Sequence, residues 1–330
     1  PGYAAVSGVR LNLLLGLLVG VAFLLSLVAG KVWIAPWAVV AGTPEALVMA
    51  ELRLPRAVLG LVIGGMLGAS GAVMQGYLRN PLADPGVLGG SASAAFGAVL
   101  AIFLGVGATP LLVSGFGMAG AVAAMGLLAL LAGRSGSATG FILAGVVLSS
   151  LAGALTALLI SLAPNPFALE EIVTWLMGAL TDRGWADVMR VSPFVAIGLL
   201  LLGMTGRALD ALALGEPAAR SLGVDPGTTR WLVIGGAGLG VGAAVAATGV
   251  IGFVGLIVPH LLRPFAGERP SALILPSALG GAVLLLVADA AVRLAPGATE
   301  LKLGIAMALL GAPFFLWLLW RGRISHGQNS

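Results

Sequence analysis

The sequence contains no cysteine and only two histidines, His260 and His326. The first absence excludes disulfides, thiol nucleophiles and thiolate metal sites, and the second leaves too few imidazoles for a multi-histidine metal centre. Charge is nearly as scarce: charged residues are 9% of the 330, where soluble domains carry about 25%. The only lysines are Lys31 and Lys302. Neither stands in the GxxxxGK-Ser/Thr pattern that cradles nucleotide phosphates, so no nucleotide-hydrolysing loop of that kind is present. The net charge of +4 is small and scattered, which gives no footing for nucleic acid. Apolar residues are what the chain has, at 59% with a mean hydropathy of +1.09. Lipid must be the main solvent for such a surface, and the chain is read as an all-α integral membrane protein.

A spanning helix satisfies its own backbone, so spans appear as apolar runs separated by polar or proline-rich breaks. About ten are expected, at 11–30, 57–78, 87–106, 111–132, 139–162, 188–205, 230–248, 250–263, 271–294 and 303–320. The first is long for a signal peptide and is read as a retained span. The eighth is short, and Pro259 is expected to break it. An amphipathic segment at 163–187 and a polar one at 206–229 interrupt the series. With ten spans both termini share a side. That side receives ten of the basic residues and the other seven, so the termini are placed in the cytoplasm.

Fifty-one glycines need a reason in a helical protein. Gly60, Gly64, Gly68, Ala72 and Gly76 recur every four residues and make a shallow groove on one face of the second span. Gly236, Gly240 and Ala244 do the same in the seventh. Close helix packing in lipid explains both. Gly115 to Gly120 matches GxGxxG but opens a membrane helix with no βαβ unit around it, so dinucleotide binding is rejected. Gly68-Ala-Ser70-Gly71 matches an intramembrane serine protease pattern, with His260 the only available partner. Ser70 lies about 14 residues, roughly 21 Å, from the outer end of its helix, and His260 about one turn from the inner end of its own. That depth mismatch weighs against a dyad, and no catalytic residue is assigned.

Charge inside a span is costly and is examined for function. Asp289 is the one acid there, and Arg293, four residues on, shares its helix face. An ion pair anchoring the helix end is the expectation; a proton-relay acid in a gradient-driven transporter is the rival. Gln75 is expected to make an interhelical hydrogen bond. Within 206–229, Leu209–Val224 carries helix-start signals at Glu216 and Pro217 and a stop at Gly223, with an apolar side of Ala218, Ala219 and Leu222. Such a helix either lies on lipid or docks in another protein's groove.

Several segments together resemble one family, the permease subunits of type II ATP-binding-cassette importers for ferric siderophores, haem and vitamin B12. They are Arg53-Leu-Pro-Arg56, the run from Gly71 through Asn80-Pro-Leu-Ala-Asp84-Pro-Gly86, Gly215-Glu-Pro-Ala-Ala-Arg-Ser-Leu-Gly-Val224, Gly252 to His260, and Gly311-Ala-Pro-Phe-Phe315. They lie in order along nearly the whole chain. The resemblance implies one transmembrane permease domain over 1–330, working as a homodimer in the bacterial inner membrane. Two copies of an ATP-binding cassette subunit would sit below it and one periplasmic substrate-binding protein above. This chain would carry no cofactor or metal, ATP and Mg2+ acting in the partner subunit.

The same resemblance assigns roles. Arg53, Arg56 and Arg293 would dock acidic side chains of the binding protein. Within the segment 206–229, Leu214, Gly215, Glu216, Ala219, Arg220, Leu222 and Gly223 would couple to the ATPase. Ser137, Ala138 and Thr139 would form the cytoplasmic gate, and Leu155, Leu158, Leu159 and Leu162 a pathway wall. Reversing Arg53 and Arg56 to glutamate is expected to weaken docking and leave dimer assembly intact. The sequence departs from the family pattern at Gly89-Gly-Ser-Ala-Ser93 and at Lys302, and it does not choose among the three cargo classes.

Overall fold

The computed structural model describes residues 8–34, 42–135, 138–267, 269–296 and 300–327. Thirteen helices organise them: α1 (Gly8–Val28), α2 (Leu54–Tyr77), α3 (Gly90–Phe103), α4 (Pro110–Ser135), α5 (Ala138–Ser161), α6 (Pro166–Leu176), α7 (Trp185–Met204), α8 (Gly206–Ala213), α9 (Glu216–Ser221), α10 (Pro226–Thr248), α11 (Val254–Ala266), α12 (Pro270–Leu294) and α13 (Leu303–Gly327). The chain enters α2 through one turn, Pro44–Leu47, capped by the Thr43 side chain, and then a π-turn, Val48–Arg53. Proline, whose fixed φ suits a first turn, opens α4, α6, α10 and α12. Asn165 and Asp225 accept backbone N–H bonds as caps of α6 and α10.

Seven helices among the described residues are long and apolar enough to cross a membrane, and Gly90–Phe103, Val254–Ala266 and Leu303–Leu318 are shorter apolar helices. These positions follow the ten apolar runs, but with different bounds. The lead-in turns extend α2 to a continuous 34 residues from Pro44; Glu45, Glu51 and Arg53 hid them from a hydropathy reading. The eighth run is not broken at Pro259. Its helix starts late instead, after Phe253 at φ 68, and continues through Pro259 and Pro264. Pro259 cannot donate to the Gly255 carbonyl four residues back. Gln75 Nε2 donates to that carbonyl at 3.3 Å and so replaces the missing bond.

Buried Leu59, Ile63, Met66, Val73 and Met74 of α2 lie at the centre of the molecule with Val233, Val241 and Val245 of α10. Around them the helices cross on glycine. A Cβ at Gly64 or Gly68 would overlap the carbonyls of Gly281 or Ser277 in α12, and one at Gly71 would overlap Gly255 in α11. The expected groove on α2 is thus filled by α12, with no room left for a ligand. Gly240 is covered by Met66, and Gly198 of α7 meets the backbone of α10 at Gly236. Gly117 and Gly120 of the GxGxxG match likewise pack α4 against α3 and α10. Large apolar side chains stay exposed on α1 (Leu13, Leu17), α5 (Leu143, Val147) and α13 (Leu309, Leu316), as expected of surfaces that meet lipid or another subunit.

Candidate functional sites

At one end of the bundle the three predicted arginines converge. Arg53 lies in the π-turn before α2, and its Nη1 donates to the Leu27 and Val28 carbonyls at 2.8 Å each. Its Nη2 donates to Val32. The Leu27 and Val28 carbonyls are among those a helix leaves unpaired at its C-terminus, where a cation also suits the dipole. Arg293, at the end of α12, donates to the Ala29 carbonyl (2.9 Å) and Ser26 Oγ (2.8 Å) and pairs with Asp289 at 3.0 Å. Arg56 presents Nε and Nη2 to Asp289 at 3.0 and 2.9 Å, and Nη2 also reaches Glu300 at 2.9 Å. Thr181 Oγ1 donates to the same Glu300 oxygen at 2.9 Å. Burial pushes the Glu300 carboxyl up, but Arg56, Thr181 and Arg293 together hold it below the usual carboxylate range.

This cage is internal: Arg53 and Arg56 are 9% exposed, Arg293 4% and Asp289 1%. Each arginine already serves a helix end or a carboxylate. Three guanidiniums against two carboxylates leave one positive charge in excess. The cage floors a cavity of about 280 Å3 whose wall includes Lys31, Leu52, Asp182 and Arg183. Asp289 lies between two arginines, with Arg56 at 2.9 Å and Arg293 at 3.0 Å. The expected Asp289–Arg293 pair is present; Arg56 as its second partner was not anticipated. Charge reversal at Arg53 or Arg56 would set a glutamate against backbone carbonyls or against Asp289, so stability is expected to fall.

At the opposite end, α8 and α9 form a small amphipathic unit. Leu212 and Ala219 are buried with Tyr77 and Val224 packed against them. Asp210 fixes α8 to the start of α12 by accepting from Ser271 N at 2.9 Å and Ser271 Oγ at 2.6 Å. Gly215 (φ 103) and Gly223 (φ 79) make the corners on either side of α9. Leu214 and Leu222 are 70% and 64% exposed and line an open cavity of about 380 Å3 with Arg207 and Asp210. Glu216 and Arg220 form a solvated pair at 3.7 Å. The apolar side anticipated for this segment is therefore split: Ala219 faces the protein and Leu222 faces out.

Ser137 lies outside the described residues; Ala138 and Thr139 open α5, and their side chains lie outside them too. Leu158 and Leu162 are exposed on α5. Leu159 instead packs against the cluster of Val99, Val113 and Ile172, and Leu155 is half-buried. Gln75 makes its interhelical bonds, donating to Gly255 and accepting from Arg263 Nη2 at 2.8 Å. Ser70 Oγ and His260 Nδ1 are buried with no hydrogen-bond partner, so no Ser–His dyad forms. A junction that sequence reading missed joins α6, α10 and α13. Gly304 N donates to the Gly178 carbonyl at 3.0 Å, Ala179 N donates to Thr248 at 2.8 Å, and a Cβ at Gly178 would overlap the Val250 carbonyl.

An all-helical bundle with polar clusters at its two ends, and glycine-packed apolar helices between them, defines a polytopic membrane protein of transport type. The chain belongs to the FecCD transport family, whose profile matches residues 17–321. It is 40% identical over 313 residues to the "Vitamin B12 import system permease protein BtuC" of Salmonella typhimurium (strain LT2), covering 94% of this chain and 95% of that protein. The Salmonella arizonae protein of the same name is also 40% identical over 313 residues, covering 94% of each. A solved structure described as an inward-facing conformation of a metal-chelate type ABC transporter superposes with a TM-score of 0.85 at 32% identity, covering 95% of this chain and 99% of that one.

Proposed function

We propose that this chain is the membrane subunit of an ATP-driven importer that moves a metal chelate from periplasm to cytoplasm by alternating access. Vitamin B12 is the first cargo to test, since the Salmonella relatives are named for it; ferric siderophore and haem are the others. The chain forms one permease domain over 1–330 with ten spans and cytoplasmic termini in the bacterial inner membrane. It performs no covalent chemistry, and ATP with Mg2+ acts in the partner subunit. Two permease copies assemble with two ATPase subunits and one binding protein. The exposed apolar sides of α5 and α13 support the homodimer and a pathway along its axis past Leu158 and Leu162, with Leu155 half-buried beside them and Leu159 packed behind this wall. Ser137, Ala138 and Thr139 gate its inner end.

The observation that carries this reading is the α8–α9 unit. Two large apolar side chains, Leu214 and Leu222, stand exposed beside Arg207 and Asp210, at a polar end of the bundle. The helices bearing them are bolted to α12 through Asp210 and Ser271. An apolar pair on a rigid polar base suits a protein groove and transmits motion to a spanning helix. Deleting Glu216–Gly223 is expected to release the ATPase subunit during purification; continued co-purification would reject the coupling role. At the other end, the buried cage of Arg53, Arg56 and Arg293 gives the cavity above it a positive floor, which suits acidic side chains of the binding protein.

A further inference from the structure

A cavity of about 420 Å3 opens between α4 and α7. Ala243, Ala246 and Ala247 of α10 are buried at its floor, and Leu111, Met189 and Phe194 stand exposed at its walls. Its lining changes character along the helices. Ser114, Asp187 and Arg190 come from the first two turns of α4 and α7, while Met118, Phe194 and Ala243 lie deeper and are apolar. Both wall helices are long and apolar enough to cross a membrane. The cleft is therefore charged toward the helix ends and apolar toward the middle of the span, the order in which a bilayer itself is built.

The charged end is a fixed pair. Arg190 donates through Nη2 to Asp187 at 2.7 Å, through Nε to the Ala186 carbonyl at 3.1 Å and through Nη1 to Ser114 Oγ at 3.4 Å. A guanidinium has five N–H groups, so these bonds leave it donors to give. Asp187 is held in place by Gly184 N at 3.0 Å, and its two oxygens can accept more than these two bonds. A cation and an anion side by side above an apolar cleft match a ligand that carries a phosphate, an ammonium and a hydrocarbon chain. We propose that this cavity binds one phospholipid with an amino headgroup, its phosphate on Arg190, its ammonium on Asp187 and one acyl chain over Ala243, Ala246 and Ala247. A net-anionic headgroup would set its charge against Asp187, and a quaternary ammonium has no N–H to donate there. Gly115 keeps the cleft open, since a Cβ at that position would meet nothing within 4 Å.

Native mass spectrometry of the full chain, delipidated in detergent and titrated with phosphatidylethanolamine, phosphatidylglycerol or phosphatidylcholine, tests this. One phosphatidylethanolamine per chain should be retained, about tenfold more tightly than either of the other two, the difference one charge-assisted hydrogen bond makes. Arg190→Gln should weaken its retention about tenfold. Gly115→Leu, which fills the cleft without meeting another part of the protein, should abolish it. Equal retention of the three lipids, or retention unchanged by both variants, would overturn the proposal. The place of binding is read on the wild-type chain, with phosphatidylethanolamine carrying a photoreactive diazirine on its acyl chain. Labelling should concentrate on residues 111–118 and 189–194 rather than on α1, whose Leu13 and Leu17 are also exposed. Equal labelling of α1 would mean lipid that merely surrounds the protein, and would overturn the proposal as well.

Discussion

Replacing Asp289 with asparagine removes the carboxylate on which Arg56 and Arg293 converge, at 2.9 and 3.0 Å, in a site where Asp289 is 1% exposed. Breaking a buried ion pair from one side costs about 3–5 kcal/mol, because the remaining charge stays buried. Here the lower end applies: Arg56 keeps Glu300, and Arg293 keeps the Ala29 carbonyl and Ser26 Oγ. A loss of about 3 kcal/mol at about 2 °C per kcal/mol lowers the thermal midpoint by about 6 °C. Fluorescence-monitored unfolding of wild type and Asp289→Asn in the same detergent reads this directly. The folded fraction of the variant should still transport when its partners and ATP are present. An unchanged midpoint together with abolished uptake would refute the reasoning and return Asp289 to the role of a proton carrier.

Four further outcomes follow from the same geometry. Gly64→Val should prevent close approach of α2 and α12, since its Cβ overlaps the Gly281 carbonyl, and should destabilise by about 3 kcal/mol or more; a wild-type midpoint in unfolding would contradict that. Gly178→Ala meets both a φ of 65 and the Val250 carbonyl, so loosening of the α6–α10–α13 junction should appear as faster hydrogen exchange at Ala179 and Gly304. Because the Glu300 carboxyl is held low in the folded state, its stabilising contribution is present above the ordinary glutamate pKa of about 4.3 and is lost as pH falls through the folded value. The midpoint difference between wild type and Glu300→Gln should thus be constant from about pH 8 to pH 5 and shrink below about pH 4. Leu222→Asp should weaken co-purification of the ATPase with little change in midpoint, since Leu222 is exposed.

Long apolar runs made α1, α2, α4, α5, α7, α10 and α12 legible, because lipid demands about 20 such residues per span. The Asp289–Arg293 pair was legible for a local reason, since four residues of helix bring them together. Arg56 and Asp289 are 233 residues apart, and no spacing rule reaches that far. The same is true of the Gln75 bond that rescues α11 at Pro259, a tertiary contact 180 residues distant. Arg183 read as one more charge of the amphipathic segment at 163–187, and that its Nε is buried without a hydrogen-bond partner is something only packing reveals. Leu222 was read as sharing one apolar side with Ala218 and Ala219, but the turns at Gly215 and Gly223 leave Ala219 buried against the protein and Leu222 exposed.

ATP-dependent uptake into proteoliposomes tests the central claim most directly. The vesicles hold this chain with an ATPase subunit and a soluble binding protein, and cobalamin, haem and a ferric siderophore are offered separately. The account predicts accumulation of one chelate, with cobalamin tested first, only when ATP is present on the ATPase side. Accumulation driven by an imposed proton gradient, with no dependence on ATP, would contradict it.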